Sequence, residues 1–237
     1  MKKVVIDQNF FEVFPESKIY LLHLKGINNQ INEADDPFFA KMLAEASQSA
    51  QKFFVEETFS ENSVVKVWRE AFSKFKTKKG ARSSIENLLK RAAQGRTFSP
   101  INPLVDIYNS VSLEFALPCG GEDLAKIDGD LHLGKAQGGE SFLPLGETED
   151  SPALPEEIIY YDNSGAICRC LNWREAQRTM LTPETQNAIL VIETINSEQQ
   201  ARAEQAIEKL RMRAKDFFGV DGEKFELSKE NPSVEIA

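Results

Sequence analysis

RTFSPINPLVDIYNSVSLEFALPCGGED, residues 96–123, holds the densest set of local signals in the chain. A residue that precedes proline is pushed out of the helical region, so Ser99 and Asn102 keep the backbone extended. Asn102 then supplies a helix cap, and Pro103 fills the first helical position, where a missing N–H costs nothing. From there Leu104, Ile107, Tyr108, Val111 and Phe115 recur at helical spacing and form one apolar face. Val105, Asp106, Asn109 and Leu113 lie on other sides. Pro118 ends the segment, and Gly120-Gly121 is expected to form a loop with free backbone N–H groups beside Glu122 and Asp123. A core helix followed by a turn accounts for all of this, so the pattern alone assigns no function.

Composition places limits on the rest. With 237 residues the chain can bury a full core without staples. Hydrophobic content of 41% and charged content of 27% are ordinary for a soluble globular protein. No apolar run approaches the ~20 residues that span a bilayer, and MKKVVIDQNF lacks the apolar region of a signal peptide. Cys119, Cys168 and Cys170 do not make a disulfide framework. Cys168 and Cys170 on one strand would share a face, but nothing nearby completes a metal site, so three reduced thiols and a cytoplasmic location are expected. No cofactor is expected.

The net charge of −9 argues against a general nucleic-acid coat, yet it is unevenly spread. Between residues 66 and 96 ten basic residues, among them Lys74, Lys76, Lys78, Lys79, Arg82 and Arg96, face only Glu70 and Glu86. That window carries +8, leaving −17 elsewhere. Such asymmetry fits a polyanion partner and fits a solvated helical surface equally well.

Along the chain, 2–6 and 18–25 read as strands, with His23 a core residue of the second. Residues 37–54 and 61–76 read as helices, and Ser83 with Glu86 forms a capping box for a third. Residues 130–134 and 138–146 read as strands and turns of a small barrel-like or mixed sheet, and 147–156 as an acidic surface loop. EIIYYD-NSG-AICRCL (157–171) reads as a hairpin, AILVIET (188–194) as a buried strand, and 197–218 as a long amphipathic helix stopped by Gly219. A short strand near Phe225 and an acidic tail complete the chain.

Several chemistries are set aside. No phosphate-binding P-loop or nucleophile elbow occurs, and two histidines offer few bases for a nucleophilic triad. The remaining functional groups concentrate at Tyr108-Asn109, at Gly120-Gly121-Glu122-Asp123, and at Asn172-Trp173-Arg174, where a Trp and an Arg suit ring stacking and anion pairing. The same Trp and Arg suit a structural plug.

PINPLVDIYNSVSLEFALPCGGED (100–123) resembles a segment of the bacterial phenylalanyl-tRNA synthetase beta subunit, roughly P-x-N-x-V-D-x-T-N-Y-V-M-L-E-x-x-Q-P-x-H-A-F-D. The resemblance continues through Gly139-Glu140 to Gly146, the hairpin from Tyr161-Asp162 to Ala166-Ile167, and Thr182 to Asn187. That module is the B3/B4 domain, whose role in the family is hydrolytic editing of tyrosine misattached to phenylalanine tRNA. The resemblance is strong over about 90–195. It implies an α+β fold, with a mixed sheet, flanking helices and a helical region inserted after the first strands. It also implies one B3/B4-like domain over 1–237, with a basic helical region at about 36–95 and a C-terminal helix at about 197–219. A stand-alone B3/B4 protein without aminoacylation activity is the expectation.

Carried across position by position, the family's asparagine falls on Asn109 and its neighbouring threonine on Tyr108. The family's histidine falls on Gly120, and its late-strand glutamate on or near Val191, with Glu193 two residues on facing the same side. The family's glycine-rich A-G-V-M-G-G loop is replaced by Arg169 to Arg174. The resemblance therefore implies a rebuilt pocket, with Asn109 and Glu193 as catalytic candidates. Tyr108, Gly120, Gly121, Glu122, Asp123, Asn172, Trp173 and Arg174 would hold the substrate. Lys74, Lys76, Lys78, Lys79, Arg82 and Arg96 would bind RNA. The implied partner is tRNA or aminoacyl-tRNA, with no DNA specificity and no membrane. Two functions stay open: a trans-acting deacylase of mischarged aminoacyl-tRNA, and a non-catalytic module that binds RNA or a small amino-acid-like ligand.

Overall fold

Two sheets and a layer of helices build the molecule, in an α+β arrangement. The structure is a computed structural model and describes residues 2–236. Strand β1 (Lys2–Ile6) is followed by a short helix, α1 (Gln8–Val13), and by β2 (Lys18–Lys25). Helices α2 (Asp36–Ala50), α3 (Ser63–Phe72) and α4 (Ser84–Ala93) form the expected insertion. Helix α5 (Pro103–Phe115) leads into β3 (Cys119–Asp123) and β4 (Leu131–Lys135). The hairpin is β5 (Ile158–Asp162) and β6 (Gly165–Arg169), followed by the two-residue β7 (Arg174–Glu175). Strand β8 (Asn187–Thr194), helix α6 (Ser197–Phe218), β9 (Glu223–Leu227) and β10 (Ser233–Ile236) complete the order.

One sheet runs β10-β1-β4-β5-β6-β7 and the other β3-β8-β2-β9. Alternation along β2 sends Ile19 and Leu21 into the core shared with Val4, Ile6, Leu131, Leu133, Ile158 and Ile167 of the first sheet. Tyr20, Leu22 and Leu24 point the other way, onto Leu104, Ile107 and Val111 of α5 and Ala203, Ala206 and Leu210 of α6. The order of layers is therefore sheet, sheet, helices, with α3 and α4 adding Val65, Trp68, Ile85 and Leu89 to the inter-sheet core.

The helix caps read from sequence hold where they are local. Asn102 Oδ1 accepts from the Val105 N–H at 3.1 Å, and Gly219 ends α6 in the left-handed conformation. The capping box at α4 does not form. Ser83 makes no side-chain cap bond, and Glu86 turns away to take a bidentate pair from Arg69, at 3.2 Å to Nε and 2.6 Å to Nη2. A fork-to-fork charged pair outweighs a neutral cap.

Four further expectations are corrected. Residues 119–123 are not a glycine loop: they form an edge strand that pairs Gly120 with Val191 and Gly121 with Leu190, so their backbone is engaged by β8. Residues 138–146 form no strand and make one isolated bridge, Pro144 to Ala176; their Phe142 instead packs with Ala153 of the next segment over Ile159 and Ala166 on the outer face of the first sheet. The acidic tail ends in β10, antiparallel to β1 with Val4 opposite Val234. Cys170 also leaves the strand that carries Cys168, with φ of 50°.

Candidate functional site

Edge strands β3 and β7, one from each sheet, come together beneath α4 and α5, and a cavity of about 330 Å³ opens between them. That is room for a group of amino-acid size. Helix α5 contributes Tyr108 and Asn109, adjacent positions that turn toward the cavity at the side of the helix. Strand β3 contributes Gly120, the segment after β6 contributes Asn172 and Trp173, and β7 contributes Arg174 and Glu175. Ser84, Asn87 and Leu88 of α4 close another side, and Leu145 stands at the rim.

The fold thus brings together Tyr108, Asn109, Gly120, Asn172, Trp173 and Arg174 from three separate stretches of sequence. It places the other candidates elsewhere. Gly121 faces the helix layer, where an added Cβ would lie 2.4 Å from a Leu190 methyl. Asp123 caps a turn, accepting from the Ala125 N–H at 3.0 Å and from the Thr185 hydroxyl at 2.9 Å. Glu122 and Glu193 point between the sheets and are 4% and 1% exposed. The Cys168 thiol donates to Glu122 Oε1 at 3.1 Å, and the Tyr160 hydroxyl donates to Glu193 Oε1 at 3.0 Å. Strand pairing explains this: Tyr160 is opposite Cys168, and Cys168 is opposite Glu175, so their side chains form one row on the inner face of the first sheet.

That row is where the electrostatics depart from normal. Burial pushes the Glu193 carboxyl up to about 8, against the downward pull of the Tyr160 hydroxyl and the Asn172 backbone N–H. Burial, reinforced by the charge of Glu175, holds Glu122 well above the usual carboxylate range. Glu175, at the cavity wall, is raised by burial to about 7 while the Tyr108 hydroxyl draws it back. Among the described residues neither Glu122, Glu175 nor Glu193 has a basic side chain within salt-bridge distance. A carboxyl with an ionisation point near neutrality at a cavity wall can accept or give a proton at working pH. Sequence reading passed over Glu175, although its neighbour Arg174 was singled out; its only local signal is a position after Arg174 on a two-residue strand.

The turn at residues 170–171 that leads into the cavity wall is under backbone strain. Cys170 and Leu171 have φ of 50° and 58°, a conformation that costs a residue with a Cβ about 1–2 kcal/mol. The Leu171 N–H bonds to the Ile158 carbonyl at 2.9 Å, and the Trp173 N–H to the Cys170 carbonyl at 3.3 Å, which holds the turn. The Arg174 guanidinium lies 5.6 Å from the Trp173 ring and 3.5 Å from Glu147.

The basic segment leads directly into this wall, because the loop before α4 precedes the helical turn that carries Ser84 and Asn87. Lys74, Lys76, Lys79, Arg82 and Arg96 are exposed. Lys78 is exposed too and donates to Ser151 Oγ at 2.6 Å. Arg82 lies 3.9 Å from Glu86, which is already paired with Arg69. Among the described residues no group of three His, Cys, Asp or Glu side chains is placed to hold a metal ion, and no helix is long and apolar enough to cross a membrane.

The family model described as B3/4 domain matches residues 67–229. Over 68 residues, 29% of this chain, the sequence is 38% identical to the phenylalanine–tRNA ligase beta subunit of Nocardia farcinica, and to the same degree to that of Cutibacterium acnes. The matched segment is 8% of the length of each of those proteins. A solved N-terminal fragment of the phenylalanyl-tRNA synthetase beta subunit from Pyrococcus horikoshii aligns with a TM-score of 0.48 and 12% identity, over 94% of this chain and 53% of that one.

Proposed function

The chain belongs to the B3/4 domain family, and from that premise we propose that it binds the aminoacyl end of a tRNA in this cavity and hydrolyses the ester of mischarged aminoacyl-tRNA supplied in trans. The observation that carries the reading is Glu175: a carboxyl of near-neutral ionisation point on the wall of an amino-acid-sized cavity, beside Tyr108 and Asn109. In its ionised form Glu175 takes a proton from a water molecule as the water oxygen bonds to the ester carbonyl carbon. The tetrahedral intermediate then breaks its bond to the ribose oxygen, and Glu175 returns the proton to that leaving hydroxyl. Asn109 orients the ester within the cavity. The exposed cations of the segment before α4 attract the tRNA phosphates, a contribution that weakens with salt.

Incubation of the purified protein with a panel of mischarged tRNAs, following release of the amino acid, tests this reading. Selective release from one or two pairs is the expected result. Absence of release from every pair, with tRNA still bound, would leave a non-catalytic module that binds RNA or an amino-acid-like ligand. One observation favours that second reading: the late-strand Glu193 is sealed between the sheets and does not line the cavity.

A further inference from the structure

The side chain of Asn172 lies across β3 in space that any residue other than glycine would fill at position 120. A Cβ on Gly120 would sit 2.8 Å from Asn172 Oδ1, 3.0 Å from its Cγ and 3.2 Å from its Nδ2. In that berth Asn172 Nδ2 is shut off from solvent and donates to no protein group. Native interiors rarely leave a primary amide's donor unused. The two residues before it hold left-handed backbone conformations without being glycine, and the Trp173 N–H closes a turn back to Cys170. The residue nevertheless belongs to the cavity wall. An idle donor, a strained turn and a berth that depends on a missing side chain all occur at one residue.

We propose that this is a resting position, and that Asn172 swings off Gly120 into the cavity when a ligand with a carbonyl or carboxylate oxygen enters, donating its Nδ2 hydrogen bond to that oxygen. The inference rests on the aminoacyl-binding reading above, in which the oxygen is the ester carbonyl. During hydrolysis the same donor faces the negative charge that develops on that oxygen. Gly120 supplies the parking space, and the turn at Cys170 and Leu171 supplies the hinge.

Gly120→Ala evicts the amide from its berth and should preset the ligand-facing position. The probe is a set of non-hydrolysable 3′-amide-linked aminoacyl-adenosines, titrated against Trp173 fluorescence, with the buried Trp68 as a constant background. Gly120→Ala should bind the recognised analogue about 10-fold more tightly, because the cost of populating the competent state is removed. Its unliganded fluorescence should already be displaced toward that of the bound wild type. Asn172→Ala should bind about 10-fold more weakly, the loss of one hydrogen bond, and the double variant should match it. If Gly120→Ala binds no more tightly, or Asn172→Ala binds as well as wild type, the inference falls while aminoacyl binding stands. If Gly120→Ala unfolds and the double variant does not, the amide has no second position and the inference is overturned. Binding of no analogue to any form removes the aminoacyl reading and the inference together.

Discussion

Replacing Glu193 with glutamine should become steadily more favourable to stability as pH rises, and should stabilise the protein at pH 7 and above. The carboxyl is 1% exposed, its Oε1 is held by Tyr160 at 3.0 Å, and its Oε2 has no partner. Burial moves its ionisation point from 4.5 to about 8. Below pH 4.5 the group is protonated whether folded or unfolded and has no effect on stability. Between 4.5 and about 8 only the unfolded chain ionises, so each pH unit removes about 1.4 kcal/mol of folding stability. The cost is about 3 kcal/mol at pH 7 and levels off near 5 kcal/mol above pH 8. Glutamine keeps the acceptor for Tyr160 and cannot ionise, so this pH-dependent cost disappears. It also buries an amide N–H₂ where the carboxyl oxygen Oε2 has no hydrogen-bond partner, a penalty of about 1–3 kcal/mol that does not change with pH. Urea denaturation of wild type and Glu193→Gln between pH 5 and 9 separates the two effects: the offset is the amide, and the slope is the carboxyl. Glu122 and Glu175 titrate in both proteins and cancel to first order in the difference. A stability difference that stays flat across this range would refute the claim that Glu193 is buried without a compensating charge.

Glu175→Gln should abolish amino acid release without unfolding the protein, and wild-type activity should rise as pH passes through about 7, where Glu175 becomes ionised; a rate independent of pH from 5 to 8 would remove Glu175 as the base. Charge reversal at Lys76 and Lys79 should weaken tRNA binding and make the slope of log affinity against log salt shallower by roughly 1.4–1.8, at 0.7–0.9 per phosphate contact. Unchanged filter binding would mark both residues as plain surface. Arg169→Ala should cost about 3–5 kcal/mol in chemical denaturation, because it strips the buried Glu157 of a bidentate partner at 2.8 and 2.6 Å. A cost below 1 kcal/mol would mean that solvent reaches Glu157.

The five longer helices, α2 to α6, were legible because their signals are local, whereas the short α1 went unread. Asn102-Pro103 and the apolar stripe of α5 need only neighbours three and four residues away, and the same is true of α6 and its terminal Gly219. The strands that escaped are those whose conformation depends on distant partners. Cys-Gly-Gly-Glu-Asp has little intrinsic β preference and becomes a strand because β8 offers it a ladder. The tail becomes β10 because β1 has a free edge, whose Val4 pairs with Val234 across nearly the whole length of the chain. The Ser83–Glu86 box was a sound local reading that a tertiary partner, Arg69, overrode.

The candidate site divides along the same line. Residue type and pattern, together with family resemblance, were enough to pick out Tyr108, Asn109, Gly120 and Asn172-Trp173-Arg174, since amides, aromatic rings and glycines of this kind stand out in any stretch of chain. Whether such groups meet depends on the edges of two sheets closing on each other, which no window of sequence contains. The acid chemistry was still less accessible. A glutamate in sequence is an ordinary surface carboxylate; Glu175 and Glu193 become groups that hold protons near neutrality, and Glu122 is held well above the usual carboxylate range, because the packed sheets remove water and bring no basic side chain within salt-bridge distance. Sequence by itself determined the five longer helices, the family and the residues with chemical potential. Tertiary structure decided which of them share a cavity and which carry a proton there, because desolvation is a property of the space around a side chain and not of the side chain.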